Sequence, residues 1–411
     1  MNKLKKELWY INYITALFLL VLGMKSLDGA CLTYMSEELT TQLGITTGQY
    51  SKLSSYYYLS YSSSCILVGI ITSRLSKRKI LIAVMTLMTG VVSLITSMVT
   101  TYEGLAACRL ATGLFQGGSM SIMLSIIAKN LVKDDYGTRN GVINLGSSVI
   151  ALSVGPVFYA YMAAHFRWNT AYLYTGALLV VLSIAIFFTV KEVNVEVQKT
   201  SQKHPVVRTI KECIHSKVFI MCFVIGILET VSNLSISVFR PIYYTEVMGF
   251  DTATKAAYIA AGGFAYLPIG IAVPALADRF SVQKVMLGTF VLALLAPLSV
   301  VLFPGTMFSA VVLSAIGAAG GATVSLFTYM IPRNALPERL HGFANGVILG
   351  VACLIGGTAA PAILGDLVDV YNWTIPQVLA VTAGTYTICV ILSLFLHIDT
   401  GGRKVQVAAA Q

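Results

Sequence analysis

Long apolar runs dominate this chain, and its polar residues come mostly in short clusters between them. A helix that crosses a hydrocarbon core of about 30 Å needs about 20 mainly apolar residues. Runs of that order fall at 9 to 34, 48 to 72, 80 to 99, 104 to 128, 141 to 163 and 171 to 190. Six more fall at 218 to 245, 256 to 276, 284 to 302, 307 to 331, 344 to 366 and 376 to 397. The pattern predicts an all-α integral membrane protein with twelve transmembrane helices, six in each half. The longest stretch without an apolar run, 191 to 216, separates an N-terminal bundle (1 to 190) from a C-terminal one (217 to 411).

The two halves are written alike. "GTRNGVI" (137 to 143) returns as "GFANGVI" (342 to 348), an offset of 205 residues, or half of 411. The same offset pairs Tyr61 with Tyr266, Arg74 with Arg279, Ser76 with Ser281, Pro156 with Pro361 and Trp168 with Trp373. Aromatic, proline and arginine positions are not interchangeable packing residues, so their recurrence in one gapless register identifies an internal duplication.

Composition agrees with a membrane chain: 56% hydrophobic residues, 11% charged residues and a mean hydropathy of +0.77 do not describe a water-soluble surface, which is roughly one quarter charged. The net charge of +10 sets topology, because short basic connections stay cytoplasmic. With the N-terminus inside, 22 of the 28 Lys and Arg fall on inner segments, while the outer connections hold Glu37, Glu38, Glu103, Glu246, Asp251, Asp366 and Asp369. The expectation is a multi-pass protein of the cytoplasmic (inner) membrane, working as a monomer, with both termini and the 191 to 216 stretch inside. The basic balance then needs no nucleic-acid partner.

The opening "MNKLKKELWYINYITALFLLVLG" lacks a small-x-small cleavage site and reads as a retained first span. The "DGAC" before Leu32 has Asp28 where a lipoprotein site wants an apolar residue. Seven cysteines, odd in number and mostly within helices, show no disulfide or metal spacing. The histidines (His165, His204, His215, His341, His397) lie in loops or at helix ends without a nucleophile-and-base pattern. Neither an enzyme nor a cofactor is expected.

Twelve helices in two parallel repeats resemble the major facilitator superfamily of secondary transporters. After span 2, "GIITSRLSKRK" resembles the superfamily's G-x-x-x-D-R-x-G-R-R signature through Gly69, Arg74, Arg78 and Lys79, with Ser73 and Ser76 in place of its aspartate and second glycine. The repeat copy "PALADRFSVQK" keeps Asp278 and Arg279 and has Pro274 for the first glycine. "RLATGLFQGG" is similar to the R-x-x-x-G-x-x-Q-G pattern of span 4 through Arg109, Gly113, Gln116 and Gly117. Gly155, Pro156, Trp168 and Tyr172 resemble elements of the anion:cation symporter branch. Two departures stand out from that branch. Gly29 follows Asp28 where an arginine is usual, and Gln116 occupies the place of a frequent proton-carrying glutamate.

The resemblance implies a solute site near the membrane midplane, lined by spans 1 and 7, where buried polar groups need a reason. Lys25 and Asp28 on span 1, and Glu229 and Asn233 on span 7, are the candidates; the repeat sets Lys25 opposite Thr230 and Asp28 opposite Asn233. Lys25 is the expected ligand of a solute anion, although Lys25 and Asp28 at i and i+3 could equally neutralise each other. Tyr57 and Tyr61 share a face of span 2, and Tyr61 falls where many anion:cation symporters have a solute-contacting tyrosine; Tyr266 is its repeat mate. Gln116 joins them as a non-titrating wall residue. Arg74, Arg78, Arg109, Asp278 and Arg279 are the expected gating or structural residues, with Arg109 a partner for Asp28. Asp28 and Glu229 are the helix-embedded carboxylates available for proton coupling, and Glu229 has no cation within a helical turn. The function expected is proton-coupled uptake of a small organic anion, either a carboxylate or a sugar acid. Export of amphipathic drugs by proton antiport, and a transporter-like sensor, remain open alternatives.

Overall fold

The computed structural model describes residues 2–74, 77–130, 136–192, 212–332, 336 and 338–396. Helices α1 (Asn2–Tyr34), α2 (Ser36–Leu43), α3 (Thr47–Arg74), α4 (Arg78–Thr96), α5 (Tyr102–Gln116), α6 (Ser119–Lys129), α7 (Tyr136–Gly146), α8 (Gly155–His165) and α9 (Thr170–Thr189) form the first half. The second half holds α10 (Lys217–Ile242), α11 (Thr252–Arg279), α12 (Val282–Leu302), α13 (Met307–Ile316), α14 (Glu338–Leu354), α15 (Ala360–Tyr371) and α16 (Ile375–Phe395). Two compact units emerge. The first is Met1–Lys199 with Tyr244–Phe264, the second Thr200–Tyr243 with Ala265–Gln411.

Among the described residues, eleven helical segments are long and apolar enough to cross a membrane, from Lys5–Tyr34 to Ile375–Phe395. The twelve apolar runs expected from the sequence are thus reduced by one, and the missing one is α3. At 28 residues this helix is about 42 Å long, sufficient to span, but its tyrosines and serines dilute its apolar content. Several of its hydroxyls are satisfied locally: Ser60 donates to the Tyr56 carbonyl at 3.1 Å, Ser63 to Leu59 at 2.8 Å and Ser51 to Gly48 at 2.9 Å. Serines that bond back to their own helix lower the cost of placing them away from water.

The surface is apolar where a soluble protein would be charged, with Phe188 77%, Ile271 62% and Ile363 59% exposed. Inside, the duplication is visible as packing. In the first unit α4 packs along α9, and in the second α12 packs along α16. Small residues allow the first of these contacts: a Cβ on Gly90 would meet the Gly176 carbonyl oxygen at 2.9 Å, so any larger residue would push the helices apart.

Irregular helix recurs in register. π-helical turns at Ser147–Val154 and Ile355–Ala359 run into α8 and α15, which carry Pro156 and Pro361 in their first turns. A proline removes a helical N–H, and a widened turn accommodates the unmatched carbonyl. The fourth span breaks between α5 and α6 at Gly117 and Gly118, the latter in the left-handed region at φ +72°. In the repeat the equivalent segment is a 3-10 turn, Ala319–Thr323.

Candidate functional site

In the first unit the break of the fourth span organises the polar core. A helix end leaves carbonyls without an intrahelical partner, and neighbouring helices supply donors. Ser64 on α3 donates to the Leu114 carbonyl at 2.5 Å and to Gly117 at 3.2 Å. Thr89 on α4 reaches the Phe115 carbonyl at 3.3 Å. Lys25 on α1 donates to the same Phe115 oxygen at 3.2 Å and to the Ser119 hydroxyl at 2.8 Å, and is 2% exposed. So Lys25 hydrogen-bonds across to the broken helix and makes no direct ion pair with Asp28 one turn away. An ammonium has three donors; two are spent here.

Asp28 is also fully buried. Its Oδ1 accepts from Ser93 on α4 and from Thr175 on α9 at 3.1 Å, and its Oδ2 accepts from the Gln116 amide at 3.3 Å. Gln116 in turn accepts from the Tyr57 phenol at 2.8 Å, so one side chain links α3 to α1. Tyr57, Tyr58 and Tyr61 form a cluster with ring centroids 5.1 to 6.5 Å apart. Arg109, 1% exposed, donates through Nη1 to the Gly29 carbonyl at 3.3 Å and lies 5.2 Å over the Tyr172 ring. Its Nη2 has no partner among the described residues. The expected Arg109–Asp28 pair is therefore not a direct contact; both are held in one buried cluster by intermediaries. The departure at Gly29 has a physical counterpart as well. A Cβ there would sit 3.4 Å from both the Gln116 Oε1 and the Tyr57 hydroxyl, so the Tyr57–Gln116 pair occupies the room an arginine would need.

In the second unit Glu229 on α10 is 1% exposed. It accepts from Asn233 at 3.0 Å and from Thr230 at 3.4 Å, and no cation pairs with it among the described residues. Asn233 keeps its second amide N–H and its carbonyl oxygen without a partner there. Position 321 is the repeat mate of Gln116, and it is glycine. A Cβ on Gly321 would meet the Asn233 Nδ2 at 2.8 Å and the Tyr266 hydroxyl at 3.7 Å. The structure thus gathers Glu229, Asn233 and Tyr266 at the repeat mate of Gln116, where the Asn233 amide takes the space that a side chain at 321 would need. Tyr386, fully buried, brings its hydroxyl against neighbouring Gly320 and finds no hydrogen-bond partner there.

Of the expected gating residues, Arg279 ends α11 and is exposed, and Arg78 opens α4 half-buried with its Nε unpartnered. The side chains of Arg74 and Asp278, and most of the 191 to 216 stretch, lie outside the described residues. Sequence reasoning missed Ser93, Thr175 and Ser119, single hydroxyls in apolar runs with no spacing to mark them. Gly321 was legible, since the 205-residue offset from Gln116 leads straight to it.

The profile of the Major Facilitator Superfamily matches residues 14–361. The chain belongs to the Major Facilitator Superfamily. Solved structures agree at the level of the fold. A mutant of the nucleoside transporter NupG superposes with a TM-score of 0.78 at 14% identity, covering 93% of this chain and 99% of that one. Unmutated NupG gives 0.74 at 14%, covering 93% and 98%. A bacterial homolog of the human lysosomal transporter Spinster, inward-facing and occupied, gives 0.72 at 12%, covering 94% and 97%. No curated protein matches the chain in sequence. This superfamily member is a multi-pass secondary transporter of a small-molecule solute, and its two polar clusters are the parts of the transporter core that need a functional account.

Proposed function

We propose that this transporter takes up a small organic anion by alternating access, coupled to protons, in the cytoplasmic membrane with both termini inside. The observation that carries the reading is the charge inventory of the first unit's core. Lys25 and Arg109 flank one carboxylate, Asp28, and all three are nearly inaccessible. Both cations keep donors that nothing in their surroundings uses: the third N–H of Lys25 and the Nη2 of Arg109. Excess positive charge and spare donors in a low-dielectric core favour an anionic guest such as a carboxylate or sugar acid. In the second unit Glu229 is the group suited to carry the proton, because its donors are neutral and a proton is the remaining way to discharge it.

Asn233 connects the two tasks. It holds Glu229 with one N–H, and its amide nitrogen packs against Gly321, beside Tyr266. In the first unit the carboxamide of Gln116 takes a phenol donor on its oxygen, and a solute carboxylate would use the Tyr266 phenol in the same way. The Tyr57, Tyr58 and Tyr61 cluster favours a second reading, proton-antiport export of amphipathic aromatic compounds.

Proteoliposomes distinguish the readings. With an alkaline interior, labelled lactate, succinate or gluconate should accumulate above equilibrium, and Lys25→Ala should abolish that accumulation without unfolding the protein. Failure of all three acids to respond to the gradient overturns the proposal, and gradient-driven extrusion of a cationic dye supports the exporter.

A further inference from the structure

At the end of α1 that meets the end of α9, a groove of ≈ 500 Å³ is lined by Lys5, Lys6, Trp9, Tyr10 and Lys191. It lies within the first unit, away from the cluster around Asp28, and the transport reading makes no use of it. Its walls are fixed. The Tyr10 hydroxyl accepts from the backbone N–H of Lys191 at 2.7 Å, and the Lys191 ammonium lies 4.7 Å over the Tyr10 ring. One turn along, Tyr13 donates to Thr189 at 2.8 Å and stacks on Trp9 with centroids 5.6 Å apart.

We propose that this groove is a binding site for the phosphate headgroup of an anionic phospholipid, with phosphatidylglycerol as the simplest occupant. Three lysines face it and, among the described residues, no carboxylate lines it. Glu192, the acidic neighbour of Lys191, is turned to the backbone N–H of Lys79 at 3.2 Å. The volume falls in the range of about 300–1,000 Å³ common for small-molecule sites. Basic pockets at the ends of membrane helices attract anionic headgroups, with roughly 1 kcal/mol contributed by each lysine near the surface. What selects a lipid over free phosphate is the adjoining apolar surface. Trp9 is 69% exposed and Phe188, next to Thr189 in the chain, 77% exposed, and both sit where acyl chains run down from a headgroup. An indole beside lysines at the end of a span is the arrangement that anchors a helix at the membrane interface.

Trp9 provides the readout. Full-length protein in detergent is titrated with phosphatidylglycerol or phosphatidylcholine carrying brominated acyl chains, and tryptophan quenching is followed, with Trp9→Phe giving the contribution of Trp168 and Trp373. Phosphatidylglycerol should quench the Trp9 signal at lower lipid fraction than phosphatidylcholine. Each of Lys5→Gln, Lys6→Gln and Lys191→Gln should weaken that preference about five-fold, and the triple variant on the order of 100-fold. Lys191→Arg, which keeps the charge, should retain it. Excess inorganic phosphate should leave the quenching unchanged. Equal quenching by the two lipids, a triple variant that still prefers phosphatidylglycerol, or displacement by inorganic phosphate would each overturn the assignment.

Discussion

Replacing Asp28 by asparagine tests whether charge or hydrogen bonding holds the first unit's core together. The substitution keeps the side chain's shape. The remaining carbonyl oxygen can still accept from Ser93 and Thr175, and a half-turn of the Gln116 amide would present its oxygen to the new NH2 and its nitrogen to the Tyr57 phenol oxygen. Asp28→Asn therefore removes one negative charge and almost nothing else, whereas Asp28→Ala also removes three hydrogen bonds. Within membranes such bonds average about 0.6 kcal/mol, so the three together contribute roughly 2 kcal/mol. Leaving buried charge uncompensated costs about 3–5 kcal/mol, and here Lys25 and Arg109 would both lose their counter-charge. The charge effect should dominate. Asp28→Asn is expected to destabilise by about 3–5 kcal/mol and Asp28→Ala by about 5–7 kcal/mol. For a unit of about 220 residues (199 + 21), each kcal/mol moves Tm by about 2–4 °C. Thermal unfolding of the purified protein should then show Asp28→Asn lowered by about 6–20 °C, and Asp28→Ala lower by a further 4–8 °C or so. If Asp28→Asn melts within about 2 °C of wild type while Asp28→Ala falls, hydrogen bonding alone stabilises the cluster, and the excess-charge basis for an anionic solute is refuted.

Glu229→Gln should abolish accumulation driven by a pH gradient in proteoliposomes yet retain solute exchange; loss of both modes, or of neither, removes Glu229 as the proton carrier. Gly321→Gln should displace the Asn233 amide, which a Cβ at 321 would meet at 2.8 Å, lowering the affinity for transported acids at least ten-fold, and unchanged affinity would show that Asn233 does not hold the solute. Gly117→Val, whose added atoms would crowd Ser64 (2.7 Å to its Cβ from a Cβ at 117), should destabilise by about 1–3 kcal/mol, and wild-type melting would refute the close α3–α5 packing. For topology, single cysteines at Thr41 and Ser201 in a cysteine-free background should differ toward an impermeant label. Labelling is expected at 41 only, and labelling at 201 in sealed cells would reverse the assigned orientation.

The sequence by itself determined the membrane class and the duplication. Hydrophobic length depends only on local composition. The 205-residue register paired Pro156 with Pro361, but the widened turns before them and the break at Gly117 emerged only with the fold. The sequence also marked Lys25, Asp28, Glu229, Asn233 and Gln116 as costly residues in apolar surroundings. Tertiary structure decided what those residues hold. Lys25 and Asp28 are neighbours along α1, but the ammonium is held by the Phe115 carbonyl at the break of the fourth span, which comes from 90 residues away. The donors to Asp28 come from α4 and α9, on spans whose relation to α1 no periodicity encodes, since hydroxyls that bond across helices leave no repeat in the chain. The contrast between Gln116 and Gly321 needed both. The register paired the positions, and only the packing revealed that one is a bonded bridge and the other a glycine whose side-chain space the Asn233 amide takes, beside Tyr266.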